Sequence, residues 1–329
     1  MDVDRREIVA GIAATALLPT TAAAAPAADW RPPAPDRELR VPVRGGSIYV
    51  RLNGDLAAKK PPVLFIHGGP GSGHSGFLPA LQLADARAVI LYDQLDAGLS
   101  DRPADPANWT VERFVSEVDA LRAALKLDRL HVVGQSWGST IALEYAARRP
   151  AGLVSLTLGS PLISVKSWEK STRAQLATLP ADVRRTIETH EAAGTTADPA
   201  YAKAMDVFYA HFLYRQTPPA YITAYKKRPG LTLNPVVYNA MWGPGEIAAT
   251  GTLKSYDGEP LLPRLAVPTL VICGAYDEMT PAAVKPLVAR IPGGRLVSIP
   301  DAGHAVASDA PAAYVAAVRA HLESTDARR

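Results

Sequence analysis

Apolar positions along this chain follow two rhythms. Residues 38–43 and 47–53 alternate apolar with polar on either side of Gly45-Gly46, the pattern of a β-hairpin. Residues 62–66 and 88–92 are short continuous apolar runs, as expected of strands buried on both faces, and 130–133, 154–158, 268–273 and 296–299 are further short, mostly apolar strand segments. Stretches with a helical period separate them. In 110–125, Val111, Phe114, Val115, Val118, Leu121 and Leu125 share one face, and Thr110 stands before them as a helix N-cap. Further helices are predicted over 139–147, 281–290 and 310–322. Strands alternating with helices predict an α/β domain with a mostly parallel, doubly wound sheet. Between 161 and 256 that rhythm stops. The segment is helical in pattern, rich in Tyr, Trp, Lys and Arg, and broken by Pro180, Pro199, Pro218, Pro219 and Pro229. It predicts a helical cap (161–256) inserted into a core made of residues 36–160 and 257–325.

Composition narrows the picture. With 329 residues, 48% of them hydrophobic, the chain can bury one large core or two modest ones. A net charge of +3 and the lack of a basic run interleaved with aromatics argue against a nucleic-acid partner. The single cysteine, Cys273, excludes an internal disulfide and sits in an apolar run, as a buried inert thiol would. No metal or organic cofactor is implied. At the amino end, Arg5-Arg6 leads into an Ala-rich apolar stretch through Leu18, followed by Ala22-Ala23-Ala24-Ala25. Residues 1–28 read as a bacterial export signal of the twin-arginine type, cleaved near 24–28, which would place the protein in the periplasm. The apolar run is too short for a membrane span.

Gly134-Gln135-Ser136-Trp137-Gly138 falls between a strand and a helix. A Gly-x-Ser-x-Gly there reads as a nucleophile elbow: a turn too tight for flanking side chains lifts the serine to the edge of the sheet. Serine is a poor nucleophile unless a base, oriented by a third group, takes its proton. Asp277 lies just past the 268–273 strand and His304 just past the 296–299 strand. The order Ser136, Asp277, His304 at successive strand ends is that of an α/β-hydrolase triad, with His304 as base and Asp277 as its orienting acid. An oxyanion needs two preorganised donors. The Trp137 backbone N–H supplies one, and His67-Gly68-Gly69-Pro70-Gly71 supplies the other, from Gly69.

His67-Gly68-Gly69-Pro70-Gly71, Asp93-Gln94, Gly134-Gln135-Ser136-Trp137-Gly138-Ser139 and Trp242-Gly243-Pro244-Gly245-Glu246 together resemble the proline iminopeptidase family of α/β-hydrolases. That family contains prolyl aminopeptidases and L-amino-acid amide hydrolases, and the resemblance runs from about Ser47 to Leu322. It implies that Glu246 binds a substrate's free α-ammonium, with solvated cap residue or partner of a cap lysine as the alternative roles. A desolvated carboxylate in that role positions the next carbonyl over the serine. Two positions depart from the family pattern. Asp96 replaces a glycine in Asp93-Gln94-Leu95-Asp96-Ala97-Gly98-Leu99-Ser100, tolerating a left-handed backbone while placing a carboxylate near the oxyanion loop. The family's second cap acid has no glutamate counterpart between Glu191 and Glu246, which leaves Asp206.

Trp137, Trp242 and Tyr238 are expected to wall an apolar slot suited to a pyrrolidine ring or small side chain. The expected activity is hydrolysis of an amide bond after an N-terminal proline or small apolar residue, through an acyl-enzyme. The substrate would be a small molecule or short peptide with a free N-terminus. A carboxylesterase or lactonase acting on small neutral esters is the alternative. Dehalogenase and epoxide-hydrolase chemistry would need an acidic nucleophile at the elbow. A catalytically dead binding protein would not need nucleophile, base, acid and oxyanion loop together.

Overall fold

The computed structural model describes residues 30–327. The export signal expected over 1–28 lies outside the described residues. Two antiparallel strands open the fold, β1 (Arg37–Val43) and β2 (Gly46–Asn53), followed by β3 (Val63–Ile66) and β4 (Val89–Tyr92). Then come α1 (Val111–Leu125), β5 (Leu130–Gln135), α2 (Trp137–Ala147) and β6 (Leu153–Gly159). Five α-helices and a 3₁₀ turn (Glu259–Arg264) follow before the next strand: the α-helices are α3 (Val165–Leu176), α4 (Ala181–Ala193), α5 (Pro199–Phe212), α6 (Ala220–Lys226) and α7 (Pro235–Met241). The chain closes with β7 (Thr269–Gly274), α8 (Pro281–Val288), β8 (Arg295–Ile299), the short α9 (Val306–Asp309) and α10 (Pro311–Thr325). Among the described residues the strands form one eight-stranded sheet in the order β1-β2-β4-β3-β5-β6-β7-β8. It is parallel from β4 to β8.

The continuous apolar runs are explained by what each strand face meets. In β3, Leu64 and Ile66 join one core cluster, Val63 and Phe65 the other. In β4, Ile90 and Tyr92 face the first, Val89 and Leu91 the second. A strand with helices on both sides cannot carry a polar residue on either face without burying it. The edge strand β8 is the contrast, with Arg295 and Ser298 exposed. Cys273 is fully buried in the first cluster, and burial pushes its thiol pKa up, as expected of an inert side chain. Thr110 caps α1 by accepting the Arg113 N–H at 3.2 Å.

Within the inserted helices α3–α7, α3–α5 share a small core of their own, including Leu176, Ile187, Met205, Phe208 and Phe212. They are rooted in the sheet's core by Val165 and Trp168 of α3 and by Val237, Met241 and Trp242 at α7. The short α9 was not foreseen, nor was a longer element after β3. Residues His74–Asp85 form a 3₁₀-helical run with Pro79 inside it, burying Phe77, Leu78, Leu81 and Leu83. Its three-residue turn gives neither a strand nor an α-helical period. Among the described residues no helix is long and apolar enough to cross a membrane.

Candidate active site

The site grows from the turn between β5 and α2. Ser136 sits there at φ 54° and ψ −126°, a strained conformation for a residue with a Cβ. Three backbone bonds hold it: Ser136 N–H donates to Gly159 O at 2.9 Å, and Ser136 O accepts from Ser139 N–H at 2.9 Å and Leu162 N–H at 3.4 Å. The flanking glycines answer a lack of space. A Cβ on Gly134 would overlap the Gly138 carbonyl, and one on Gly138 would overlap the Ile66 carbonyl. As the first residue of α2, Trp137 has no preceding turn to receive its N–H.

Asp277 and His304 come from the ends of β7 and β8. The His304 Nδ1–H donates to Asp277 Oδ1 at 2.9 Å, which leaves Nε2 as the acceptor of the neutral ring. Asp277 is itself fixed by the Met279 N–H at 3.1 Å and the Gly274 N–H at 3.2 Å. Gly274 ends β7 because a Cβ there would overlap the Ala302 and Gly303 carbonyls of the histidine loop. That loop is gripped on two sides. His304 N–H and Ala305 N–H donate to Phe212 O (2.7 Å) and Leu213 O (2.9 Å) at the end of α5. The His304 carbonyl accepts from Gln135 Nε2 and from Ser160 Oγ, each at 3.0 Å. Asp277 and His304 are thus bonded directly, and His304 is tied to the residue preceding Ser136. Among the described residues no hydrogen bond links the Ser136 hydroxyl to the His304 ring. In substrate-free hydrolases that contact is often long and tightens when substrate binds.

Against Ser136 lies the glycine loop that follows β3. A Cβ on Gly68 would stand 2.9 Å from Ser136 Cβ. Gly69 has φ +110°, in the region that favours glycine.

Acidic side chains surround the imidazole. Glu246, half-buried, accepts the Tyr238 hydroxyl proton through Oε2. Burial raises the Glu246 pKa, against the pull of that bond and of His304. Glu278 is fully buried, with Oε2 3.4 Å from His304 Nδ1. Neither of its carboxylate oxygens has a hydrogen-bond partner among the described residues. Burial, reinforced by the nearby charge of Glu246, raises Glu278 well above the usual carboxylate range. Burial alone would lower His304, but Glu278, Asp277 and Glu246 outweigh it and raise the imidazole to about 9. A buried carboxylate without hydrogen-bond donors is costly and persists as an anion only beside positive charge.

A family model described as the alpha/beta hydrolase fold matches residues 61–311. The chain is 38% identical over 264 residues to the proline iminopeptidase of Heyndrickxia coagulans, covering 80% of this chain and 91% of that one. Among solved structures, VinJ superposes with a TM-score of 0.82 at 36% identity, covering 88% of this chain and 99% of VinJ. The proline iminopeptidase of Mycobacterium smegmatis gives 0.79 at 35%, with the same coverage. The chain belongs to the proline iminopeptidase family of α/β-hydrolases.

Several expectations for this family member change with the coordinates. Trp137 does not wall a slot through its ring: the indole is fully buried in the sheet core, edge-on to Phe114 with centroids 5.7 Å apart. Trp242 is buried one layer back, its indole N–H donating to Gly245 O at 2.9 Å. It packs on Trp168 at 5.7 Å, and Trp168 stands perpendicular to His304 at 5.4 Å. Trp168 is therefore an aromatic residue beside the His304 ring, and its place in a helical pattern gave no sign of that. Asp206 is exposed on α5. Glu278 is the acid that stands beside His304 with Glu246. It was overlooked because it follows β7, outside the inserted helices, where an acidic residue next to Asp277 reads as part of a turn. Asp96 adopts φ 63°, in keeping with its tolerance of the left-handed region. Its carboxylate, however, turns away from the glycine loop, accepting the Ala104 N–H and the Trp109 indole N–H, each at 2.8 Å.

Proposed function

We propose that the protein is a serine hydrolase that removes an N-terminal proline or small apolar residue from an amide or short peptide, through an acyl-enzyme. The observation that carries this reading is the buried, donor-free Glu278 beside Glu246 at the Asp277–His304 pair. An α-ammonium, primary or the secondary pyrrolidinium of an N-terminal proline, supplies N–H donors to Glu278, which has none, and a positive charge to both carboxylates. So anchored, the substrate presents the carbonyl borne on the same α-carbon to Ser136.

In this mechanism His304 Nε2 takes the Ser136 proton as Oγ attacks the carbonyl. Asp277 stabilises the imidazolium, and the Gly69 and Trp137 N–H groups receive the oxyanion. The tetrahedral adduct collapses when His304 returns its proton to the leaving amine. Water, deprotonated by the same imidazole, then releases the amino acid from Ser136. Substrate binding also prepares the base. A cation between Glu246 and Glu278 cancels their pull on His304, so the ring gives up its proton more readily. A neutral ester would leave Glu278 without a partner, which disfavours the esterase or lactonase reading.

A fluorophosphonate probe should label wild-type protein once, at Ser136, and Ser136→Ala should abolish both labelling and prolyl-anilide hydrolysis. Undiminished turnover by that variant would end this reading. Export through residues 1–28 into the periplasm is part of the proposal and rests on the sequence alone. A periplasmic fraction whose protein begins near residues 24–28 is expected, and cytoplasmic protein starting at Met1 would overturn it.

A further inference from the structure

Asp93-Gln94, which follows β4, has no part in the steps above, yet its second residue touches both sides of the oxyanion site. Gln94 is fully buried. Its Nε2 donates to the His67 carbonyl at 2.8 Å, and its Oε1 accepts from the Trp137 indole Nε1 at 2.9 Å. The Gln94 backbone N–H donates to His67 Nε2 at 3.0 Å. That bond puts the ring proton on Nδ1, which donates to the Gly68 carbonyl at 2.8 Å. Burial lowers the His67 pKa and so favours the neutral ring this arrangement needs. Only a primary amide meets the demand made on the side chain. The indole requires an acceptor and the His67 carbonyl a donor, and the amide offers both from one plane. The fit is tight on the elbow side too, since a Cβ on Gly138 would lie 2.6 Å from the same His67 carbonyl.

We propose that Gln94 is a positioning residue. By bridging the His67 carbonyl to the Trp137 indole, it sets the spacing between the Gly69 and Trp137 backbone N–H groups that receive the oxyanion. This inference rests on the reading of Ser136 as nucleophile and of those two groups as donors. Such donors act only when they sit about 2.7–3.1 Å from the oxygen as it becomes charged. A loop that drifts by roughly half an ångström therefore gives up transition-state stabilisation while substrate affinity stays the same.

Gln94→Met keeps the length and removes both side-chain bonds. Trp137→Phe keeps the backbone donor, removes only the indole bond, and carries the test if the first variant does not fold. Each is assayed for hydrolysis of L-proline p-nitroanilide. Each is also titrated with pyrrolidine-2-boronic acid, whose boron accepts the serine oxygen and sets an oxygen at the oxyanion position, and with L-prolinol, which does neither. For Gln94→Met, kcat should fall by about 10- to 100-fold, short of the ~10²–10³-fold cost of deleting a donor outright. KM and prolinol affinity should stay within about twofold, and boronate affinity should fall with kcat. Trp137→Phe should show the same pattern with a smaller loss. Wild-type kcat and boronate affinity in a folded variant would overturn the proposal, as would a loss shared equally by prolinol. Ser136→Ala in parallel separates the readings: if it stays active the nucleophile assignment fails, and if it is dead while the Gln94 variant is normal only this inference fails.

Discussion

Glu278→Gln should move two activities of this enzyme in opposite directions. The substitution keeps the shape and removes a charge whose oxygen lies 3.4 Å from His304 Nδ1. Two full charges at that separation interact by about 5 kcal/mol at an effective dielectric of 20. That bare Coulomb figure is an upper bound, since contacts to charged groups contribute about 1.5–3 kcal/mol in practice. Taking a little under half leaves about 2 kcal/mol, or roughly 1.5 pH units at His304. The sign follows from the role of the ring. His304 must be neutral to take the Ser136 proton, and its pKa is raised to about 9, so activity falls as pH drops below that value. Removing a negative neighbour lowers the pKa and shifts the acidic limb of kcat/KM to lower pH. For a short p-nitrophenyl ester without an ammonium, kcat/KM at pH 7 should therefore rise by about tenfold or more. For L-proline p-nitroanilide the lost charge-assisted hydrogen bond should raise KM by about 10- to 100-fold. The assay is a pH profile of kcat/KM for both substrates from pH 5 to 10. An unmoved acidic limb, or an ester rate that falls together with the anilide rate, would refute the placement of Glu278.

Three other substitutions test the framework. Gly138→Ala forces a Cβ into the Ile66 carbonyl and should cost more than about 3 kcal/mol by urea unfolding, with loss of fluorophosphonate labelling. Asp96→Ala loses the bonds to Ala104 and Trp109 and puts alanine at φ 63°, so Tm should drop by roughly 5–10 °C while kcat per folded molecule stays unchanged. A fall in kcat without a fall in Tm would mean that the Asp96 carboxylate serves the oxyanion loop after all. Phe208→Ala hollows the small core of α3–α5 and should cost about 3–5 kcal/mol locally. Limited proteolysis should then cut first within residues 161–256, and first cleavage elsewhere would argue against a separately packed unit.

The strands β3 and β4 were legible because they are buried on both faces, which leaves an unbroken apolar run for each. The turn at Ser136 was legible because two close backbone approaches demand glycine on both sides. The limits are equally physical. Direction along a side chain is not written in the sequence: Asp96 was foreseen in its backbone conformation but not in where its carboxylate points. Burial was misjudged for Trp137, whose neighbours along the chain are catalytic in type while its ring belongs to the core. Glu278 and Trp168 meet at His304 only through folding, one following β7 and the other on α3. No local pattern marks either. Residues 74–85 pack well without any period that a strand or α-helix would show.

The most direct test of the ammonium-anchored hydrolase compares kcat/KM for L-proline p-nitroanilide with that for its N-acetyl derivative on wild-type protein. Two charge-assisted contacts, through Glu246 and Glu278, amount to ~3–6 kcal/mol, so the free amine should be preferred by about 10²–10⁴-fold. A ratio near one, or a preference for the blocked substrate, would contradict the account.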